Sequence, residues 1–232
     1  MSAGRKLQQA SQRITRGAMI IAFLELGLSL VWLLADRDAR VHLARWLVAT
    51  PSSVWEEGKV WTLVTSALLE TALLSLVLQL LVLWSLVPTL ERFWGTPRLL
   101  RFAAAVSIAG TVAGTLCGLL TGRGYPITGL DPFIYGSIVA FGIIYKTQPV
   151  HFFGVLPMTG RQLMYGFLGF ALLFVTLQQL WEQAAAFGGA IGMAALLLSK
   201  RANPGILWKK WRLKRMRSHL KVVRDEPEKW LN

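Results

Sequence analysis

Six apolar stretches follow one another along this 232-residue chain, and several of them reach the length that a helix needs to cross a lipid bilayer. They are Gly17–Ala35, Ala72–Val87, Leu99–Leu120, Pro132–Tyr145, Gln162–Trp181 and Ala184–Ser199. In hydrocarbon every backbone N–H and C=O needs an internal partner, so such stretches must become helices or a closed barrel. The alternation of apolar and polar residues that membrane barrels require is missing. The expectation is an all-α integral membrane protein with six transmembrane helices. The fourth and sixth stretches are short, which suits helices surrounded by protein and not by lipid.

Composition agrees. The chain is 54% hydrophobic with positive mean hydropathy, which is unusual for a soluble domain. The single cysteine, Cys117, cannot form an intrachain disulfide. The first apolar stretch is long enough to span and does not end in a small-residue cleavage site, so it reads as a helix and not as a removed signal. Three parts are expected: a basic arm over 1–16, a membrane domain over 17–199 and a basic tail over 200–232.

The net charge is +13, and its placement bears on orientation. The arm carries Arg5, Lys6, Arg13 and Arg16 without an acid. The loop between the second and third helices has Arg92, Arg98 and Arg101 against Glu91, and the next loop on that side has Lys146 and Arg161. The long connection 36–71 balances its bases with Asp36, Asp38, Glu56, Glu57 and Glu70. Positive residues concentrate on the cytoplasmic side, so both termini are expected there. Trp46, Trp55 and Trp61 mark the long connection as an interfacial, amphipathic segment. In the tail, Trp208 and Trp211 interleave with Lys209, Lys210, Arg212, Lys214, Arg215 and Arg217. That pattern suits an in-plane helix on anionic lipid; a plain stop-transfer signal before an unstructured tail is the alternative. The partners implied are the bilayer and its anionic lipids, not nucleic acid.

Several short motifs recur in a fixed order. Gly58-Lys59-Val60-Trp61-Thr62 lies in the long connection, and Leu69-Glu70 precedes the second helix. Ser75 and Gln79 sit four apart on that helix, and Glu91 and Gly95 close it. The third helix carries Gly110, Gly114 and Gly118, a small-residue stripe that lets helix backbones approach closely. The fourth begins Gly129-Leu130-Asp131-Pro132, with Gly136 further on. The sixth begins Ala185-Ala186-Phe187-Gly188-Gly189, with Gly192 three residues later. This set, spread over 17–199, resembles the rhomboid intramembrane proteases.

The resemblance carries departures at each chemical position. Where the family has its nucleophilic Ser this chain has Asp131, and where it has the His base, Ala186. The oxyanion-side His and Asn fall on Ser75 and Gln79. Thr62 stands for an Arg. The resemblance thus implies a six-helix rhomboid-like fold without the Ser–His dyad, a pseudoprotease, which binds client or partner transmembrane proteins. Glu91, Gly95, Gly110, Gly114, Gly118, Gly136, Gly188, Gly189 and Gly192 are the implied packing positions, with the glycine pair set against the fourth helix.

The residues read alone leave other possibilities. Asp131-Pro132 suits a helix start, with Asp as N-cap and Pro at the first helical position; the alternative is a functional buried acid. Ser137 has no His nearby, since the three are His42, His151 and His219. An aspartyl site would need an acid opposite Asp131, with Glu70 and Glu182 on the same membrane side. No His/Cys cluster has metal spacing, and nothing calls for a cofactor. Glu25, in the middle of the first helix, is costly unless it faces the bundle interior. With Gln79, Asp131, Gln178 and Gln179 it forms the expected polar interior or client-binding set. The rivals to a non-catalytic binder are a divergent active rhomboid and a structural subunit of a membrane complex. A bacterial inner membrane is the first expected location, with ER or Golgi as the alternative.

Overall fold

The computed structural model describes residues 15–147, 149–152 and 156–199. The tail residues Trp208, Lys209, Lys210, Trp211, Arg212, Lys214, Arg215 and Arg217, and most of the arm, lie outside the described residues. Among the described residues, five helices are long and apolar enough to cross a membrane: α1 (Arg16–Leu34), α5 (Leu73–Trp94), α6 (Thr96–Thr121), α8 (Gly160–Gln178) and α9 (Trp181–Leu198). A shorter apolar helix, α7 (Asp131–Ile144), is the sixth expected stretch. It is buried along most of its length, which is how a short helix is tolerated at membrane depth. Large apolar side chains of α1, α5 and α8 point outward, among them Phe23, Leu74 and Leu172, as helices facing lipid require.

The long connection is helical in pieces: α2 (Arg37–Leu47), α3 (Pro51–Trp55), α4 (Thr62–Thr65) and a 3-10 turn at Ser66–Leu68. Each piece is tied down. Asp36 caps α2 by accepting from the Ala39 N–H at 2.9 Å. Arg40 folds back on the carbonyls of Trp32 and Leu33 at 3.2 and 2.9 Å, placing a cation at the C-terminus of α1. Trp61 stacks on Trp46, with ring centroids 6.1 Å apart, and donates to its carbonyl at 3.1 Å. Trp55 reaches Thr115 of α6 at 3.3 Å. All three indoles are exposed. Outside the spans, the charge and hydrogen bond of Lys59 hold the Glu57 carboxyl below its ordinary range.

α6 runs through the middle of the bundle. A Cβ on Gly110 would sit 2.5 Å from the Pro132 ring and 3.0 Å from the Ala186 carbonyl. Gly114 is pressed equally closely by the Glu182 carbonyl and Ile127, and Gly118 by Pro51 and the Arg123 carbonyl. One stripe thus seats α3, the loop before α7, the start of α7 and the start of α9. Gly136 of α7 in turn lies against Val106 of α6.

Other packing expectations change. Gly189 meets Ala109 and Ala113 of α6, not the fourth helix. Gly188 and Gly192 have nothing within 4 Å of an added Cβ, so they are not contact positions. The expected loop with Arg92, Arg98 and Arg101 does not exist as a loop. α5 continues through Pro88 to Trp94, and Gly95 alone, at φ +80, turns the chain into α6. Proline removes only one donor from the helix ladder, and a residue without Cβ can take the positive φ that the corner needs. Gly95 is therefore a corner residue and not a packing one. The connection expected near Pro149 forms an antiparallel pair, β1 (Pro149–Phe152) and β2 (Leu156–Thr159), with His151 opposite Pro157.

Glu91, expected as a packing mark, ties three segments together. Its carboxylate accepts from the backbone N–H groups of Gly17 and Ala18 at 2.8 and 2.9 Å, from Thr96 Oγ1 at 2.6 Å and from Thr15 Oγ1. It thereby caps α1 from another helix, meeting donors that α1 leaves unpaired and lying at the positive end of its dipole. Gly17 has no room for a Cβ, which would fall 2.8 Å from a carboxylate oxygen. Glu91→Ala is expected to lower stability by about 3 kcal/mol, because buried donors lose a charged acceptor. Unfolding of the purified protein in detergent measures this; an unchanged midpoint would refute the capping role.

Candidate functional site

The start of α7 is shaped by a turn before it. Gly129 has φ +88, a backbone state that side chains rarely take. Its N–H donates to the Ser66 carbonyl at 3.0 Å, and Ser66 Oγ donates to the Ile127 carbonyl. Ile127 pairs with Ala49 through its own N–H at 3.0 Å. These bonds fix the depth of Leu130 and Asp131 relative to the long connection.

Asp131 is the first helical residue, not the N-cap; Leu130 holds the cap position and makes no side-chain cap bond. The Asp131 carboxylate does not serve its own helix. It accepts instead from Gln79 Nε2 of α5 at 3.0 Å. The same amide nitrogen donates to Glu70 Oε2 at 2.7 Å, and the amide oxygen accepts from the Leu130 N–H at 3.3 Å. One Gln side chain thus bridges two carboxylates and the helix start. Glu70 is further held by the N–H groups of Thr71 and Ala72, at 2.8 and 3.0 Å to Oε1. Its own N–H donates to Ser29 Oγ of α1 at 2.8 Å.

Glu25 lies one turn before Ser29 on the same face of α1, and therefore on the side that meets Glu70. It is 0% exposed, within electrostatic reach of Glu70 and Asp131, and neither carboxylate oxygen has a hydrogen-bond partner. The node therefore holds three acids, one amide and one hydroxyl. Among the described residues, no three His, Cys, Asp or Glu side chains converge to hold a metal ion.

Glu70 and Asp131 open onto a cavity of about 600 Å³. Ser75 at the start of α5 lines it, Phe170 and Phe174 of α8 face them, and Tyr135 and Phe187 close the inner side. The rings of Tyr135 and Phe187 are 4.3 Å apart between centroids. α7 packs on both α5 and α8, and no comparable packing joins α5 to α8. The cavity thus lies beside a gap between those two helices. Ala186 precedes Phe187 and is buried; its carbonyl and the Pro132 ring meet at Gly110. The positions expected for nucleophile and base are therefore brought to one place, and they hold a carboxylate and a methyl group.

Other expected site residues fall elsewhere. Gln178 and Gln179 are exposed, because α8 ends there, with Gln179 in the left-handed conformation at φ +53. Neither supplies an interior donor. Ser137 is buried with its hydroxyl unpartnered and does not line the cavity. Glu182, weighed above as a second acid for Asp131, is buried in the first turn of α9 and accepts from Thr121 Oγ1 at 3.2 Å. Ser29 and Gly129 are the members that residue-type reasoning missed. The four-residue spacing of Glu25 and Ser29 was the available signal for the first. The second had none beyond its place before Asp131.

A family model described as a eukaryotic integral membrane protein family (DUF1751) matches residues 18–195. No curated protein matches the chain. The matched span holds the whole node and the cavity.

A Cβ on Gly129 would fall 2.5 Å from Glu70 Oε2 and 2.9 Å from Gln79 Nε2, at an already unfavourable φ. Gly129→Ala is expected to cost about 2 kcal/mol or more through strain and a broken bridge. Gly124→Ala, which has nothing within 4 Å, is the control and should unfold as the parent does. Equal midpoints for the two variants would show that the bridge does not depend on this turn.

Proposed function

This chain belongs to the eukaryotic integral membrane family DUF1751, and from that premise we propose that it is a rhomboid-like, non-catalytic binder of transmembrane segments. The observation that carries the reading is the cavity at the gap between α5 and α8. It is open and lined by Glu70 and Asp131 together with aromatic rings, among them Phe170, Phe174 and Phe187, and Asp131 and the buried Ala186 stand at the positions where the resemblance would require a hydroxyl and an imidazole. Hydrolysis by a serine needs an activated nucleophile and a donor pocket for the oxyanion. Here Pro132 lacks a backbone donor and Gln79 is engaged with two acids. The geometry supports admission of a helix from the side.

On this reading six helices span, both termini are cytoplasmic, and the cavity opens toward the opposite face. A family described as eukaryotic lends no support to a bacterial inner membrane and is compatible with ER or Golgi. The basic tail would then meet anionic lipid on the cytoplasmic leaflet.

A photoreactive amino acid at Phe174, inside the cavity, tests the proposal against one at Phe23, which is exposed on α1. The expected outcome is adducts with several membrane proteins from Phe174 and lipid adducts alone from Phe23. Lipid alone at both positions would sink the proposal. One partner in constant ratio would indicate a structural subunit. Labelling by a fluorophosphonate that is lost in Ser137→Ala would indicate an enzyme.

A further inference from the structure

The node has more carboxyl oxygens than its own donors satisfy. Glu70 and Asp131 share one Gln79 amide, and Glu25 behind them has no partner for either oxygen. An acid buried in a bilayer without a partner is costly, and an opposite charge offsets the cost. Among the described residues that line the cavity there is no Lys, Arg or His, while the two acids are faced by aromatic rings. Aromatic faces attract cations, more strongly when water is excluded. Acid floor and aromatic wall together make a socket for a positively charged group. The three acids do not converge to coordinate a metal ion, so an extended cation that reaches them one at a time fits better.

Resting on the reading of the cavity as a helix-binding site, the geometry points to its ligand class: a transmembrane segment with a Lys or Arg inside its apolar run. Such a helix is itself poorly placed in lipid, since a basic side chain at bilayer depth is unfavourable without a partner. Entering between α5 and α8, it would lay its apolar face along Phe170 and Phe174. Its cation would meet Asp131 and Glu70, with the Glu25 carboxyl behind them. Two misplaced charges would thus be relieved in one complex, while a segment of leucines alone gains no such term. Selectivity follows from the charge and not from a sequence motif.

The test uses the full-length protein in vesicles of uncharged lipid with three synthetic single-span peptides. All are polyleucine–alanine helices with a photoreactive residue, and they differ at one mid-span guest: Lys, Leu or Glu. Crosslinking to α8 is expected to be at least ~10-fold greater for Lys than for Leu, and lowest for Glu. Asp131→Asn combined with Glu70→Gln should bring Lys to the level of Leu, and Glu25→Gln should lower it in part. These substitutions keep size and hydrogen-bonding capacity, and unfolding midpoints near the parent's would show that the fold is kept. Equal crosslinking by all three guests would overturn the cation preference and leave the helix-binding reading standing. No crosslinking by any peptide would overturn both. Sodium, magnesium or tetramethylammonium chloride raising the unfolding midpoint in a carboxylate-dependent way, with no preference for the Lys peptide, would assign the socket to a free cation and overturn the proposal.

Discussion

Close approach to one face of α6 is the constraint on which the bundle depends. Lipid tails are as apolar as leucine, so helices in a membrane gain little from apolar burial and rely on packing at short range. Gly110, Gly114 and Gly118 supply that range. Pro132, Ala186, Glu182, Ile127 and Pro51 all reach the stripe, and each contact falls where a Cβ would stand. Adding a methyl at Gly110 would push apart α7 and α9 together, because their Pro132 and Ala186 touch the same point. The cavity lies between these helices and their neighbours, so its shape is inherited from the stripe.

A second device works by hydrogen bonding and not by shape. Glu91 is buried and costly in isolation, but it accepts from two backbone donors and two hydroxyls. It is an acid whose environment satisfies it. Glu25 is the reverse: equally buried, on the neighbouring helix, without a partner. The same fold thus contains one carboxylate that serves structure and one that structure does not explain. That contrast separates the polar node from the architectural hydrogen bonds around it.

The sequence made the helices legible because apolar length is a strong signal in a membrane protein. It was less reliable at the ends. The charges at Arg92, Arg98 and Arg101 suggested a loop, yet Gly95 alone makes the corner, because helix ends can carry arginines as readily as loops can. Asp131-Pro132 looked like a cap because residue type predicts capping when nothing else competes. Here Gln79, fifty-two residues away, took the carboxylate. Gln178 and Gln179 read as interior by hydropathy of their neighbours, but helix termination turned them outward. Gly188 and Gly189 are adjacent, and only one of them faces a neighbour, a distinction that helical phase decides and a motif does not.

What the node retains is as informative as what it lacks. Ala186 is small, apolar and buried, and it asks nothing of its neighbours. Asp131 is different, because a carboxylate in that place must be offset, and Gln79, Glu70 and Ser29 form a chain of bonds around it. Gly129 makes room for that chain, at a backbone angle that a residue without Cβ takes freely. The two carboxylates that this chain of bonds holds in place are the ones that open onto the cavity.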